Sequence, residues 1–286
     1  MTAAPRIRRP VIIVSTPRSG STLLFETLSL SADLWTVGGE SHNIIEGLPQ
    51  LHPRTRGWHS NQLAVEDADL ATKLQLRKAF GACLQDRTGR RPQAGEHGLR
   101  LLEKTPRNAL RIPFLAETFP KASFVYLYRN AVETLASMLA GWRSGRFVSY
   151  RSLPDWPGPA WSFLLVPGWR DLIGEPLGRI VVHQWWATTR ILLADLARLP
   201  PERRICLRYD RLVQSPQTEI ARLCDRLAIS WDQPWTESLP LSVSTLTPPR
   251  PDKWREQVEE FGGLLAPVHA LDEQARAVVD GAPAPA

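Results

Sequence analysis

A short apolar run that ends in a polar, glycine-containing turn is the feature of this 286-residue sequence that most restricts its fold. Residues 8–16, RRPVIIVST, contain four consecutive β-branched residues next to a proline, which predicts a buried strand. After the turn, Leu24 and Leu28 lie one helical turn apart and predict a helix. A buried strand joined to a helix by a tight turn is typical of an α/β domain.

Further apolar and periodic segments extend this pattern along the chain. Three more apolar runs predict buried strands, over residues 99–104, 123–128 and 204–209. Helical periodicity follows in three places, over residues 131–142, 183–199 and 216–229. Because buried strands alternate with helices, the sequence predicts three layers, with a central and mostly parallel sheet flanked by helices.

The domain organisation follows from the absence of any repeat or linker in the sequence. We expect a single domain over residues 1–286, with its core over 5–260 and a disordered tail over 281–286. Two stretches depart from the α/β rhythm, namely the polar residues 38–60 and the Trp-, Pro- and Gly-rich residues 141–178. We interpret both as insertions within one domain.

Charge and cysteine content narrow the class of protein. The net charge is +6, and almost all of the positive charge is arginine, which suits either a soluble surface or a basic groove for an anionic partner. No long Lys/Arg cluster suggests a nucleic-acid arm. Three scattered cysteines form neither a disulfide framework nor a zinc motif. No apolar run is long enough for a signal peptide or a membrane span, so we expect a cytoplasmic protein.

The turn after the first strand has the composition of an anion site. Backbone N–H groups at a helix N-terminus are free to bind an anion, and the helix dipole favours negative charge there. Gly20 allows a close approach of the backbone, Ser19, Ser21 and Thr22 add hydroxyl donors, and Arg18 adds a cation. The stretch therefore favours a phosphate or sulfate, although a polar turn with capping hydroxyls would have a similar sequence.

The turn differs from the Walker A loop at two decisive positions. That loop requires G-x-x-x-x-G-K-[ST]. Here Ser15 occupies the first glycine position, and Ser21 occupies the lysine position. An ordinary ATP or GTP site is therefore disfavoured, and a kinase with a degenerate P-loop is the weaker alternative.

The motif TPRSGSTLL resembles the 5′-phosphosulfate loop of sulfotransferases that use 3′-phosphoadenosine 5′-phosphosulfate (PAPS). YLYRNAVETLASML resembles their 3′-phosphate motif, and LRYDRLVQSPQTEIARLCDRLAI resembles their Tyr-containing strand and following helix. KWREQ, from Lys253, resembles the loop that closes over the nucleotide. These segments cover most of residues 10–260 in the family's order. The resemblance implies a P-loop-like fold and an enzyme that converts PAPS to 3′-phosphoadenosine 5′-phosphate (PAP).

The resemblance also implies a set of nucleotide-binding residues. The 5′-phosphosulfate would contact Arg18, Ser19, Gly20, Ser21, Thr22 and Leu23. Arg129 and Ser137 would bind the 3′-phosphate, and Tyr209 and Lys253 would lie near the nucleotide. The chain departs from the family in two places. A Pro-rich segment around Arg250 replaces a Gly-rich loop, and Gly141 replaces a second arginine of the tyrosine-sulfating subfamily, for which Arg143 is a substitute.

Sulfuryl transfer to a hydroxyl requires a base for the acceptor proton and a cation for the leaving oxygen. Subfamilies with the PRSG-type loop, the protein-tyrosine sulfotransferases among them, have a catalytic Glu in a Gly-Glu context like that of Glu40. His42 is an alternative base, because other sulfotransferases use His. Arg18 and Lys104 are the candidate cations, and the resemblance implies no metal.

The acceptor is the least constrained part of the prediction. Four tryptophans of the 141–178 insertion lie in loop-like sequence, which predicts a lid or wall on an acceptor pocket: Trp142, Trp156, Trp161 and Trp169. Such a wall suits a small molecule, glycan, lipid or carrier-bound acyl chain. Similar bacterial sulfotransferases include polyketide-modifying members, so an acyl carrier protein and a role in secondary metabolism are possible expectations. The non-enzymatic alternative is an inactive nucleotide-binding scaffold.

Overall fold

A computed structural model describes residues 6–247 and 252–281, with the side chain of Lys253 outside that description. The strands of the described residues are β1 (Val11–Val14), β2 (Leu34–Trp35), β3 (Arg100–Lys104), β4 (Ser123–Tyr128), β5 (Val148–Tyr150), β6 (Trp161–Ser162) and β7 (Arg204–Arg208). Five of them form a parallel sheet in the order β2-β3-β1-β4-β7. β5 and β6 pair separately and antiparallel. The predicted central parallel sheet is confirmed.

Helices cover both faces of the central sheet. The α-helices of the described residues are α1 (Ser21–Leu28), α2 (His42–Ile45), α3 (Leu70–Cys83), α4 (Ile112–Thr118), α5 (Ala131–Ser144), α6 (Leu177–Ala197), α7 (Tyr209–Gln214), α8 (Pro216–Leu227) and α9 (Leu265–Val279). Two 3-10 segments that matter for the site are Pro106–Leu110 and Lys253–Leu264.

The alternation of β1 side chains explains the three layers. Ile12 and Val14 belong to a cluster that contains Phe80 of α3 and Phe114 of α4. Val11 and Ile13 point into a different cluster, with α1 and α8 residues that include Leu24, Leu28, Ile220 and Leu223. Because successive strand residues point to opposite faces, an unbroken β-branched run fits a strand buried on both sides.

The topology brings one end of every central strand to the same edge. In a parallel sheet the carboxyl ends of the strands meet, and ligands bind in the crevice beyond them. At this edge β1 leads into the turn before α1, β3 into Thr105, β4 into Arg129 and β7 into Tyr209. The segments that the sequence singled out therefore converge in space.

The 141–178 insertion differs from its prediction. α5 continues through Ser144, so only the residues after it depart from the helix. Trp142, Trp161 and Trp169 are buried and form edge-to-face contacts with one another or with Trp156. The expectation that these tryptophans wall a pocket is wrong, because their large apolar rings fill the core between α5 and α6 instead.

Candidate functional site

A cleft lies beyond the carboxyl ends of the strands and encloses about 1320 Å³, counting the part open to solvent. Its floor comes from the turn after β1 and from α5, and its far wall comes from residues 239–247. The predicted site residues that line it are Arg18, Gly20, Ser21, Thr22, Leu23, Glu40, Arg129, Ser137 and Tyr209. Trp254 and Gln257, from the KWREQ segment, line it as well.

The turn after β1 has a backbone that requires glycine at one position. Gly20 has φ +92°, and a Cβ added there would lie 2.4 Å from Cδ2 of Tyr209. The turn therefore needs glycine for conformation and for space, because L side chains avoid positive φ and the Tyr209 ring lies directly against the backbone. Within the turn, the hydroxyls of Ser19 and Thr16 are 2.6 Å apart. Ser19 is buried and fastens the turn, whereas Ser21 and Thr22 face the cleft.

Two guanidinium groups lie side by side in the cleft. Arg129 Nη1 donates to the backbone oxygen of Arg18 at 3.1 Å, and its guanidinium lies 4.7 Å from the centre of the Tyr209 ring. Arg18 Nε donates to Oγ of Ser137 at 3.2 Å. The turn, the end of β4 and α5 are thus joined through their polar side chains. The predicted phosphosulfate loop and 3′-phosphate motif share one cleft.

Among the residues that the structure describes, Arg18 forms no ion pair with a carboxylate, whereas Arg129 is paired with Glu133 at 3.1 Å. Burial, together with the nearby charges of Arg129 and Arg146, lowers the pKa of Arg18 to about 10. Two close cations in a partly desolvated cleft favour a bound anion, because an anion would offset both burial and mutual repulsion.

An aromatic pair supports Arg18 from the side of the insertion. The Arg18 guanidinium lies 4.5 Å from the centre of the Phe147 ring, and Phe147 stacks on Phe163 with 5.3 Å between ring centres. A Cβ at Gly141 would lie 2.5 Å from Cζ of Phe163. Gly141 thus leaves room for this aromatic pair, at the position where the tyrosine-sulfating subfamily has an arginine. Arg143 is exposed, pairs with Glu260 and does not replace that arginine in the cleft.

A lysine from β3 joins the candidate base to the turn. Lys104 Nζ donates to Oε1 of Glu40 at 2.7 Å and to Oγ1 of Thr22 at 3.0 Å. Its side chain is only 5% exposed, whereas Glu40 is 38% exposed and lines the cleft. A cation from a neighbouring strand thus contacts the turn at Thr22.

His42 lies beside Glu40 and does not line the cleft. Its Nδ1 is 3.7 Å from Oε2 of Glu40, and it is absent from the residues that line the cleft. Burial lowers the pKa of His42, and the charge of Arg107 lowers it further against the opposing effect of Glu40. At 3.7 Å the His42 and Glu40 side chains lie close to each other without forming a hydrogen bond.

Several cleft residues escaped the sequence analysis. Phe147 and Phe163 come from the Trp-rich insertion, where no motif marks them, and residues 239–247 have no periodic pattern. Arg18 Nη1 donates to the backbone oxygen of Ser244 at 2.9 Å, a contact through a main-chain atom that leaves no residue-type signal. Of the predicted residues, the Lys253 side chain and Arg250 lie outside the described part of the chain.

The described residues also bear on metal binding and on membrane insertion. They contain no group of three or more His, Cys, Asp or Glu side chains arranged to hold a metal ion. None of their helices combines the length and apolar character needed to cross a bilayer.

Comparisons with known proteins identify the family to which the sequence is similar. A sequence model described as the sulfotransferase family matches residues 10–233. A curated Caenorhabditis briggsae protein, named "Putative protein-tyrosine sulfotransferase", is 23% identical over 225 residues, which are 78% of this chain and 66% of that protein. The chain thus spans slightly less than two thirds of that relative.

Two sulfotransferases are among the solved structures that match the chain. The sulfotransferase domain from the curacin biosynthetic pathway is 21% identical, with 79% of this chain and 76% of that chain covered and a TM-score of 0.47. The sulfotransferase from Alicyclobacillus acidocaldarius is 18% identical, with 93% and 96% covered and a TM-score of 0.47.

Proposed function

The chain belongs to the sulfotransferase family, and from that premise we propose that it transfers a sulfuryl group from PAPS to an acceptor hydroxyl and releases PAP. The observation that carries the proposal is the pairing of Arg18 and Arg129 in one cleft, with Ser137 bonded to Arg18. PAPS has anionic groups at both its 5′ and 3′ ends. Positive charge at two places supports such a donor, since Lys104 contacts Thr22 in the turn and Arg129 lies beside Arg18 at the end of β4.

The residues present fit such a donor. The α1 N-terminus with Ser21 and Thr22 would bind the 5′-phosphosulfate, because its backbone N–H groups and hydroxyls face the cleft. Arg129 and Ser137 would bind the 3′-phosphate, with a charge-assisted hydrogen bond from the guanidinium. The Tyr209 ring would support this arrangement, since it packs against both the Arg129 guanidinium and the backbone at Gly20.

The chemical step would rest on positioning and charge. Glu40 would accept the acceptor's hydroxyl proton as that oxygen attacks sulfur in line with the departing phosphate oxygen. Lys104 and Arg18 would stabilise the negative charge that develops on the leaving oxygen. His42 would help to orient Glu40, since its Nδ1 lies 3.7 Å from Oε2 of that carboxylate.

The acceptor class stays broad within this proposal. Apolar side chains line part of the cleft, from Phe147 and Phe163 on one side and Leu239 and Leu241 on the other. They suit an apolar or planar portion of a small molecule, glycan, lipid or carrier-bound chain. An acyl carrier protein as partner, a role in secondary metabolism and a cytoplasmic location belong to the same proposal.

Nucleotide binding tests the proposal most directly. We expect PAP to raise the melting temperature of the protein and ATP with Mg²⁺ to have little effect. Arg129→Ala should weaken PAP binding by about tenfold or more, because a hydrogen bond to a charged group contributes roughly 1.5–3 kcal/mol. Arg143→Ala is the matched control, since that arginine is paired with Glu260 outside the cleft.

The same experiment separates the alternatives. Stabilisation by ATP with Mg²⁺ equal to that by PAP would favour the degenerate kinase. PAP binding without any sulfuryl transfer from 4-nitrophenyl sulfate to PAP would favour the inactive scaffold. No response to either nucleotide would overturn the proposed function.

A further inference from the structure

Glu103 is a buried carboxyl group that the proposed reaction does not use. It precedes Lys104 on β3, and strand alternation directs the two side chains to opposite faces of the sheet. Glu103 is 1% exposed, and among the described residues no cation forms an ion pair with it. A buried carboxyl group without a cationic partner is costly when ionised, so its neighbours decide its role.

Those neighbours connect Glu103 to the segment that carries the candidate base. Oε1 of Glu103 accepts from Oγ of Ser41 at 2.5 Å and from Nδ2 of Asn108 at 2.8 Å. The Ser41 amide N–H donates to Oγ1 of Thr105 at 2.8 Å. Ser41 lies between Glu40 and His42 and is fully buried. Its hydroxyl and its amide are therefore both attached to the end of β3.

This attachment fixes the distance between two groups of the cleft. Lys104 follows Glu103 directly on β3, and Glu40 directly precedes Ser41 in the sequence. The Glu103–Ser41 bond holds the two backbones together on one face, and the Lys104–Glu40 pair joins their side chains on the other. Loss of the buried bond would let the backbone of Glu40 move relative to Lys104.

The surroundings of Glu103 favour its protonated form. Burial raises the pKa of Glu103. Hydrogen bonds from Ser41, Thr105 and Asn108 and the charge of Lys104 lower this pKa, but they do not outweigh the effect of burial. Oε2 of Glu103 and Oδ1 of Asn108 are both buried acceptors without a hydrogen-bond partner in the described structure. A proton on Glu103 would supply a donor in a place that otherwise holds only acceptors.

We propose that Glu103 is a positioning residue that, as a neutral carboxylic acid, holds Ser41 and thereby sets the position of Glu40 against Lys104. Only its consequence for turnover rests on the proposed function. Glutamine should replace a neutral carboxylic acid, because its amide oxygen accepts from Ser41 and its NH₂ group donates. Leucine keeps the volume but removes the acceptor.

Hydrogen exchange measures the attachment directly, without any ligand. Glu103→Leu should increase exchange of amides in residues 38–45 by about tenfold, which corresponds to the loss of a hydrogen bond of roughly 1.4 kcal/mol. Glu103→Gln should leave that exchange close to the wild-type rate. Unchanged exchange in the Leu variant, or equal increases in both variants, would overturn the proposal.

The pH dependence of unfolding tests the protonation state and remains informative if the Leu variant fails to fold. Because the folded-state pKa of Glu103 is raised, its contribution to stability is present at low pH and is lost as pH rises through that pKa. The melting temperature of Glu103→Gln should therefore rise relative to wild type between pH 5 and 9. Glu117→Gln is the matched control, since the exposed Glu117 pairs with Lys73 and its pKa is lowered.

A constant difference between wild type and Glu103→Gln across this pH range would mean that Glu103 is ionised, and the proposal would fail. In the transfer assay with PAP and 4-nitrophenyl sulfate, Glu103→Leu should lower kcat while PAP affinity is retained. Absence of PAP binding by the wild type would instead contradict the proposed function, and would leave the exchange and unfolding results intact.

Discussion

The guanidinium of Arg129 donates a hydrogen bond to the backbone carbonyl oxygen of Arg18 at 3.1 Å. One proposed phosphate ligand thus stabilises the turn that carries the other, across the boundary between β4 and β1. The turn is not a free-standing loop, because its conformation depends on the strand beside it. Variants at either arginine are therefore expected to affect both ends of the donor site.

Gly20→Ala should abolish PAP binding and lower the melting temperature. The substitution forces a side chain into φ +92° and brings a Cβ within 2.4 Å of the Tyr209 ring. Gly39→Ala is the control, because a Cβ there has no neighbour within 4 Å. Thermal shift with and without PAP measures both effects. Wild-type PAP affinity in Gly20→Ala would contradict the role of this turn.

Glu40→Gln should abolish turnover while PAP affinity is retained. The amide keeps the shape of the side chain but cannot accept the acceptor's proton. His42→Gln should retain measurable turnover with a lower kcat, because His42 contacts Glu40 and does not line the cleft. Release of PAP from PAPS, with 2-naphthol as an acceptor that keeps its hydroxyl proton at neutral pH, measures both variants. Full activity in Glu40→Gln would move the role of base to His42.

Phe147→Leu should weaken PAP binding more than Phe147→Tyr. Tyrosine keeps an aromatic face against the Arg18 guanidinium, whereas leucine removes a cation–π contact of about 0.5–2 kcal/mol. Isothermal titration with PAP measures the difference. Equal affinities of the two variants would show that the ring does not support Arg18.

PAP affinity should fall as pH rises from 9 to 11. Burial lowers the pKa of Arg18 to about 10, so the free guanidinium loses its proton, and its attraction for an anion, in this range. Arg18→Ala should bind PAP weakly at all these pH values and lack this additional fall. Titrations at matched ionic strength check the prediction, and parallel pH profiles for the two proteins would contradict it.

Glu46→Gln should destabilise the fold by about 3–5 kcal/mol at neutral pH, because it leaves buried arginines without their partner. Glu46 pairs with Arg107 and Arg111, and the latter is fully buried. Burial raises the pKa of Glu46, but the two arginines outweigh it and the pKa is lowered overall. Its contribution to stability is thus present above the unfolded-state pKa and is lost as pH falls through the folded-state pKa.

Urea unfolding between pH 3 and 7 checks this prediction. The difference in unfolding free energy between wild type and Glu46→Gln should be constant near neutrality and shrink below about pH 4.5. Glu117→Gln, at an exposed pair, should have a far smaller effect at every pH. A Glu46→Gln variant as stable as the wild type would show that the buried pairs are dispensable.

The central sheet could be predicted from sequence because its strands are buried on both faces and therefore consist of unbroken apolar runs. β1, β3, β4 and β7 all fall within predicted segments. β2 was missed, because two residues are too few for any periodicity, and it is fixed by pairing with β3. α3 was missed as well, because its exposed face carries Leu70 and Leu74 and blurs its helical pattern.

The cleft residues divide in the same way. Arg18 and Arg129 lie in sequence motifs that predict a site for an anion, Glu40 lies in a motif that predicts a catalytic base, and all three line the cleft. The Phe147 ring and the Ser244 carbonyl oxygen contact Arg18 from positions that lie 129 and 226 residues further along the chain. No local sequence pattern links residues so far apart. Such contacts depend on tertiary packing, so the sequence alone does not encode them visibly.

The far wall of the cleft, residues 239–247, begins after residue 233, where the match to the family ends. Arg18 donates to the backbone oxygen of Ser244, so this wall is attached to the turn through a main-chain atom. A side chain replaced within residues 239–247 can therefore change the groups that line the cleft while this attachment is kept.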